Sequence, residues 1–215
     1  MRNLLRKELL LSMHPTAPIF LILSMMLIIP NYTYYVVFFY TGLAVFFTCL
    51  NGRENNDVFY TLTLPIAKKD IVKSRFAFVI LLQLAQIIIA IPFAIIRQNM
   101  PVPGNKVGMN ANITLFGISL IMLGLFNYIF FKIYYKDVNK VGTAFAKSTI
   151  AITIYIVIAE TCVHALPFVR DYLNTKDPQY LAYKLIVLAT GMIMYAFLTF
   201  VVYRKSVKAF EAFDL

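Results

Sequence analysis

The sequence is poor in charged residues and contains no tryptophan. Asp, Glu, Lys and Arg make up only 14% of its 215 residues, whereas 60% are hydrophobic. Soluble globular domains carry about 25% charged residues, so this composition indicates an all-α integral membrane protein. The net charge of +10 does not indicate binding to nucleic acid, because the cations are scattered between apolar segments and form no single basic face.

Catalytic and metal-binding motifs are also missing from the sequence. It has no GxxxxGK[ST] phosphate loop, no HExxH, no GxSxG and no cysteine pair at metal-ligand spacing. Cys49 and Cys162 are expected near opposite membrane faces, too far apart for a disulfide. We therefore expect no enzyme activity, no bound cofactor and no metal in this chain.

Six apolar segments predict six transmembrane helices in a single domain of residues 1–215. These segments cover residues 15–29, 32–50, 76–96, 113–131, 148–167 and 181–203. The first segment would form a helix only about 23 Å long at 1.5 Å per residue. Residues 1–14 carry basic and leucine positions at helical spacing, which indicates either an amphipathic interfacial helix or a simple positively charged tail. No small-residue cleavage site follows, so we expect an uncleaved first helix.

Lysine and arginine are distributed unevenly among the loops. The N-terminus, the 51–75 and 132–147 loops and the tail after residue 203 hold 15 of the 20, whereas the alternate loops hold four, and Lys184 lies within the sixth span. By the positive-inside rule, both termini and the 51–75 loop are predicted to be cytoplasmic.

The 51–75 loop combines charges, a proline and a short apolar pattern. Val58, Phe59, Leu62 and Ile66 recur at near-helical spacing around Pro65. This pattern predicts a short amphipathic helix followed by a break. The alternative interpretation is a solvated connector between two spans.

The same loop resembles the cytoplasmic loop of small ABC-2 type exporter permeases. The resemblance rests on Glu54, Asn55, Asp57, LTLP at 62–65, KKD at 68–70, Ser74 and Arg75. It implies that the loop carries a coupling helix, which docks in a groove of a separate ABC ATPase subunit, and that ATP and Mg²⁺ bind to this partner. Thr63 and Ala67 depart from the family's usual residues, so no hydroxyl role is transferred to either position.

Within that family, the size of the chain and its tyrosine-rich spans are most similar to those of the permease subunits of the staphylococcal phenol-soluble modulin exporter. This similarity implies a bacterial plasma membrane, an elbow helix at 1–14 that touches the ATPase, and pairing with a second permease copy as a homodimer or heterodimer. It also implies export of cytolytic amphipathic peptides. The apolar spans themselves suit an amphipathic or hydrophobic cargo better than a sugar or an ion.

Two other functions remain open from the sequence. The substrate-binding membrane module of an energy-coupling importer is also a small six-span protein, but its polar specificity groups are expected to cluster toward the outer face. A membrane-embedded enzyme is disfavoured, because the chain lacks a convergent pair of acids or metal ligands.

Six residues of the loop are candidates for contact with the ATPase. Phe59, Tyr60 and Leu64 are the large apolar candidates for buried anchors. The charged rim that would set the register consists of Glu54, Asp57 and Lys69.

Four polar residues within the spans are candidates for a gate or a cargo pathway. Gln83 and Gln86 lie three apart and share a face of the third span, where hydrogen bonds to neighbouring helices are favoured over lining of a path. Glu160 and His164 lie four apart near the outer end of the fifth span. They form either a proton relay or gate, or a pair wetted at the outer interface.

Overall fold

All regular structure in the described part of the chain is helical. The computed structural model describes residues 2–212, so Met1 and residues 213–215, which end the predicted domain, lie outside it. The helices are α1 (Arg2–Lys7), α2 (Thr16–Ile22), α3 (Tyr35–Glu54), α4 (Asp57–Leu62), α5 (Lys68–Asn99), α6 (Ile113–Tyr134), α7 (Val141–Ala165) and α8 (Leu181–Glu211). Two π-helical turns, Glu8–Ser12 and Val169–Leu173, and a 3-10 helix, Leu23–Ile28, accompany them.

Five helices, α3 and α5 to α8, are each long and apolar enough to cross a membrane. The first predicted span, 15–29, is a special case. α2 and the 3-10 helix that continues it cover only about 22 Å. They qualify as a sixth span only together with residues 3–12, from which they are bent by 86°. The bend falls where Met13 is extended and Pro15 begins the next helix, since a proline cannot continue the preceding hydrogen-bond ladder.

α5 and α8 are longer than the spans predicted at 76–96 and 181–203. They contain 32 and 31 residues, or about 48 and 46 Å, against a hydrocarbon core of about 30 Å. Most of the additional helical residues lie on the side of the 51–75 loop, where polar turns continue each helix beyond its apolar part. Hydropathy marks only the part of a helix that meets lipid tails, which is why the sequence underestimated both lengths.

α6 is the central helix of the bundle and packs closely against α8. In its most apolar stretch 67% of the residues are buried, compared with 22% for α7 and α8. A Cβ added to Gly117 would lie 2.7 Å from the carbonyl oxygen of Val187, and one added to Gly124 would lie 3.0 Å from the Cα of Tyr195. Gly117 and Gly124, which lie seven apart on one face of α6, therefore allow a close approach to α8.

Candidate functional site

α4 follows α3 after a tight turn at the end of the bundle that carries the 51–75 loop. Asn56, between the two helices, has a left-handed backbone with φ 52°, a conformation that asparagine adopts more readily than most residues. One face of α4 packs inward through Val58 and Thr61. The other face points out: Tyr60 is 69% exposed, and Leu64, just beyond the helix, is 41% exposed.

A cluster of four charged side chains fixes the inner face of α4. We call Lys7, Glu8, Asp57 and Arg75 the α4 cluster. Arg75 Nε lies 2.9 Å from Glu8 Oε2, and Arg75 Nη2 lies 3.0 Å from Asp57 Oδ2. Lys7 Nζ lies 2.6 Å from the other oxygen of Asp57 and 3.6 Å from Glu8 Oε1. The two cations and two anions balance each other.

The α4 cluster joins three separate parts of the chain. Lys7 and Glu8 belong to the N-terminal segment, Asp57 begins α4, and Arg75 lies two turns into α5. The side chains of Glu8 and Arg75 are only 1% and 5% exposed. Removing one partner of such a buried pair typically costs about 3–5 kcal/mol, because the remaining charge is left without compensation. These three segments are therefore held together as one unit.

The structure places most of the predicted ATPase contacts at the surface. Glu54, Tyr60, Leu64 and Lys69 are exposed, and Phe59 is half-buried against the core.

Asp57 requires a correction. It was expected on the charged rim, but its carboxylate points inward to Arg75 and Lys7. The reason is helical geometry, since Asp57 lies four residues before the buried Thr61 and therefore shares its face. Contact with an ATPase stays a prediction for all six residues.

Gln83 and Gln86 are both buried and hydrogen-bond to different neighbours. Gln83 Nε2 donates to Asn127 Oδ1 at 2.8 Å, and its oxygen accepts from Tyr195 Oη at 2.7 Å. Gln86 Nε2 donates to Ser24 Oγ at 2.8 Å. This geometry favours interhelical packing over a role in lining a cargo path.

Glu160 and His164 both contact the segment that precedes α6. Glu160 Oε2 accepts a hydrogen bond from the backbone N–H of Met109 at 2.9 Å, and His164 Nε2 lies 3.0 Å from the carbonyl oxygen of Val107. Gly108 lies between these two contacts, where a Cβ would overlap the Glu160 carboxylate. The pair thus fastens this segment to the end of α7.

The end of the bundle opposite α4 is closed by a second polar cluster. We call Gln98, Asn112, Asp177 and Lys184 the distal cluster. Lys184, fully buried on α8, donates to Asp177 Oδ1 and to the carbonyl oxygen of Thr175, each at 2.8 Å. Asp177 Oδ2 accepts from Gln98 Nε2 at 3.0 Å and from the N–H of Ile113 at 3.1 Å. Asn112 caps α6 through the N–H of Leu115 at 3.1 Å.

Comparison with known proteins identifies the family. Residues 3–211 match the family model described as ABC-2 family transporter protein, which covers nearly the whole chain. The chain belongs to this family. No curated protein and no solved structure matches it.

Membership of the ABC-2 family assigns the chain to the membrane part of an ABC transporter. It is a multi-pass permease, a transport component distinct from the ATP-hydrolysing subunit, and its family implies an ABC ATPase as partner. The finer similarity to the phenol-soluble modulin exporter is not addressed by this match and stays a prediction.

Sequence reasoning missed three of the four members of the α4 cluster. Lys7 was noted only as part of a basic segment, Arg75 only as part of the loop motif, and Glu8 not at all. One signal was present, because Glu8 is the only acid in the first 53 residues and is followed by three leucines. An isolated acid next to an apolar run requires a partner when it is buried, although the sequence does not tell which cation provides it.

Proposed function

We propose that the permease is the membrane subunit of an ATP-driven exporter, and that α4 is the helix on which its ATPase partner acts. The observation that carries this proposal is the two-sided character of α4. Its inner face is fixed by buried ion pairs, and its outer face presents Tyr60 and Leu64 on the side predicted to be cytoplasmic. A large apolar residue held on a rigid support is a typical anchor for a partner protein.

The α4 cluster supplies a route by which movement of the ATPase reaches the membrane. α4 is linked through Asp57 and Arg75 to the start of α5, which continues through the bundle for 32 residues. Glu8 links Arg75 to the N-terminal segment. A displacement of α4 therefore acts on α5 and on the N-terminal segment together. ATP and Mg²⁺ bind to the partner in this proposal, not to the permease.

The cargo, the direction and the assembly belong to the same proposal. We propose outward transport of an amphipathic or hydrophobic cargo across the bacterial plasma membrane by a complex of two permease copies, identical or related, and two ATPase subunits. Resemblance to the phenol-soluble modulin exporter supports cytolytic peptides as cargo. Both termini lie in the cytoplasm by the charge distribution. Glu160 and His164, which fasten the segment before α6, are the candidates for a gate at the outer face.

The importer module is the weaker alternative. Such a module is expected to expose a polar binding site toward its outer face. At the distal end of this permease, the polar groups of the distal cluster bond instead to one another and to the backbone. This arrangement favours the exporter, in which the cargo path lies between subunits.

The decisive experiment compares single alanine variants in the assembled transporter. Tyr60→Ala and Leu64→Ala should leave the permease in the membrane but weaken its affinity for the co-expressed ATPase. An anchor worth about 2 kcal/mol corresponds to a loss on the order of 30-fold in Kd. Cargo-stimulated ATP hydrolysis should fall with it.

Tyr180→Ala is the matched control, because Tyr180 is 49% exposed but lies at the distal end. It should bind and stimulate the ATPase like the wild type. If the double variant Tyr60→Ala/Leu64→Ala retains both ATPase affinity and cargo-stimulated hydrolysis, α4 is not the coupling helix and the proposal fails.

A further inference from the structure

α5 and α8 contact each other toward the α4 end and separate toward the distal cluster. The rings of Phe76 and Tyr203 lie 5.4 Å apart, and Tyr195 Oη bonds to Gln83 at 2.7 Å. Beyond Tyr195 the two helices diverge over α6. A groove of about 840 Å³ opens between them. The groove is therefore closed at its inner end by Tyr195 and is bounded at its distal end by Gln98 and Asp177.

The groove has an apolar body and a polar mouth. Its walls and floor are formed by aliphatic and aromatic side chains, which include Leu84, Ile87, Ile91, Phe116, Leu188 and Met192. The hydroxyl of Tyr195 at the closed end is already engaged by Gln83. The remaining polar groups of the lining, on Gln98, Asn99, Lys176 and Asp177, lie at the mouth.

The mouth carries one positive charge that is not compensated locally. The Asp177 carboxylate is paired with Lys184 and accepts two further hydrogen bonds. Lys176 is exposed and, within residues 2–212, makes no ion pair. An anionic group at the mouth would therefore meet a lysine that is free to pair with it.

The length of the groove matches one leaflet of a bilayer. Leu84 at the inner end and Gln98 at the mouth are separated by 14 residues of α5, or about 21 Å. Half of the hydrocarbon core is about 15 Å thick, and the headgroup region adds several ångströms. The apolar body is thus about as long as an acyl chain, and the polar mouth lies at the level of the lipid headgroups.

We propose that this groove binds an anionic phospholipid, with an acyl chain between α5 and α8 and the phosphate beside Lys176. By the predicted orientation of the permease this lipid belongs to the outer leaflet. A cargo that arrives from the cytoplasm is a poorer occupant, because the groove is closed on that side. A helix of a second permease copy would have to bring an acidic side chain to Lys176, and this occupant is one of the outcomes of the test below. The inference is independent of the export function.

The absence of tryptophan makes the test direct. A single tryptophan introduced at Ile95, which lines the groove, reports contact with brominated lipids through quenching of its fluorescence. Ile96→Trp is the matched control, because Ile96 does not line the groove and is similarly exposed, at 48% against 53% for Ile95. Each full-length variant is reconstituted into phosphatidylcholine vesicles that contain a small fraction of brominated phosphatidylglycerol or brominated phosphatidylcholine.

We expect brominated phosphatidylglycerol to occupy the Ile95 site about fivefold more readily than brominated phosphatidylcholine, as one lysine beside an anionic headgroup supports. The Ile96 reporter should show no such preference. Adding Lys176→Gln to Ile95→Trp should abolish the preference, whereas Lys176→Arg should retain it, and Lys106→Gln in the other distal loop should leave it unchanged.

Two results would overturn the proposal. Equal quenching of Ile95→Trp by both lipids would mean that the groove holds ordinary annular lipid without selectivity. Protection of Ile95→Trp from both lipids, with normal quenching at Ile96, would mean that another protein surface covers the groove.

Discussion

At the α4 end four charged side chains from three segments contact one another directly, whereas in the distal cluster a single ion pair is surrounded by amides and backbone groups. The α4 cluster links residues as far apart as Glu8 and Arg75 through a direct ion pair. In the distal cluster the ionic partners, Asp177 and Lys184, are only seven residues apart. The connections between distant segments there are made by neutral donors such as Gln98 and Asn112.

The difference has an energetic meaning. A neutral hydrogen bond contributes about 1 kcal/mol and can be lost singly, but a buried charge that loses its partner costs several times more. The distal cluster therefore combines one buried ion pair with many small contributions. The α4 end depends on a few large contributions, which suits the proposed transmission of movement from the ATPase.

The largest effect is expected from Arg75→Leu. This change leaves Glu8 without its nearest cation and removes one of the two cations of Asp57, so the free energy of unfolding should fall by about 3–5 kcal/mol. Denaturation in mixed detergent micelles measures the loss. Arg53→Leu is the control, because the Arg53–Glu54 pair is exposed and 3.6 Å apart, and it should cost less than about 1 kcal/mol. Equal losses for the two variants would show that the buried α4 cluster contributes no more to stability than an exposed ion pair at the same end.

A smaller loss is expected from Asp177→Asn. Lys184 would keep its bond to the Thr175 carbonyl but lose its counter-charge, so the loss should be about 3 kcal/mol, the lower end of the range for a broken buried ion pair. The double variant Asp177→Asn/Lys184→Met removes the buried charge as well and should recover much of the stability in the same denaturation assay. A double variant less stable than the single one would contradict this account.

The smallest effect is expected at the exposed pair of Asp137 and Lys140, 3.1 Å apart in the loop between α6 and α7. Bonds from Lys140 and from the N–H of Asn139 lower the pKa of the Asp137 carboxyl. A lowered pKa stabilises the folded state at neutral pH, and this contribution is lost as the pH falls through the folded pKa, below about 4. Asp137→Asn should therefore cost less than about 1 kcal/mol at pH 7, and this cost should shrink as the pH falls through the lowered folded pKa. A difference between variant and wild type that does not shrink as the pH is lowered would show that the carboxylate charge is not its source.

The sequence predicted the helices much better than the contacts between them. Apolar runs located the five long helices, because burial in lipid imposes a continuous hydrophobic stretch. The spacing around Val58 predicted α4 itself but not which of its polar residues turns inward, and so Asp57 was misplaced. The pairing of Glu8 with Arg75 spans 67 positions and is fixed only when α5 packs beside the N-terminal segment. Nothing local to either residue encodes it.

The contact between α6 and α8 has a consequence for how the bundle can move. At their closest approach a Cβ on Gly191 would collide with the carbonyl oxygen of Gly117, so the two backbones touch without an intervening side chain. Sliding either helix by one residue, about 1.5 Å, would bring a side-chain-bearing neighbour into that space. The two helices are therefore held in a single register relative to each other. Any rearrangement that slides helices past one another must therefore involve segments other than this pair, namely the N-terminal segment, α3, α5 and α7.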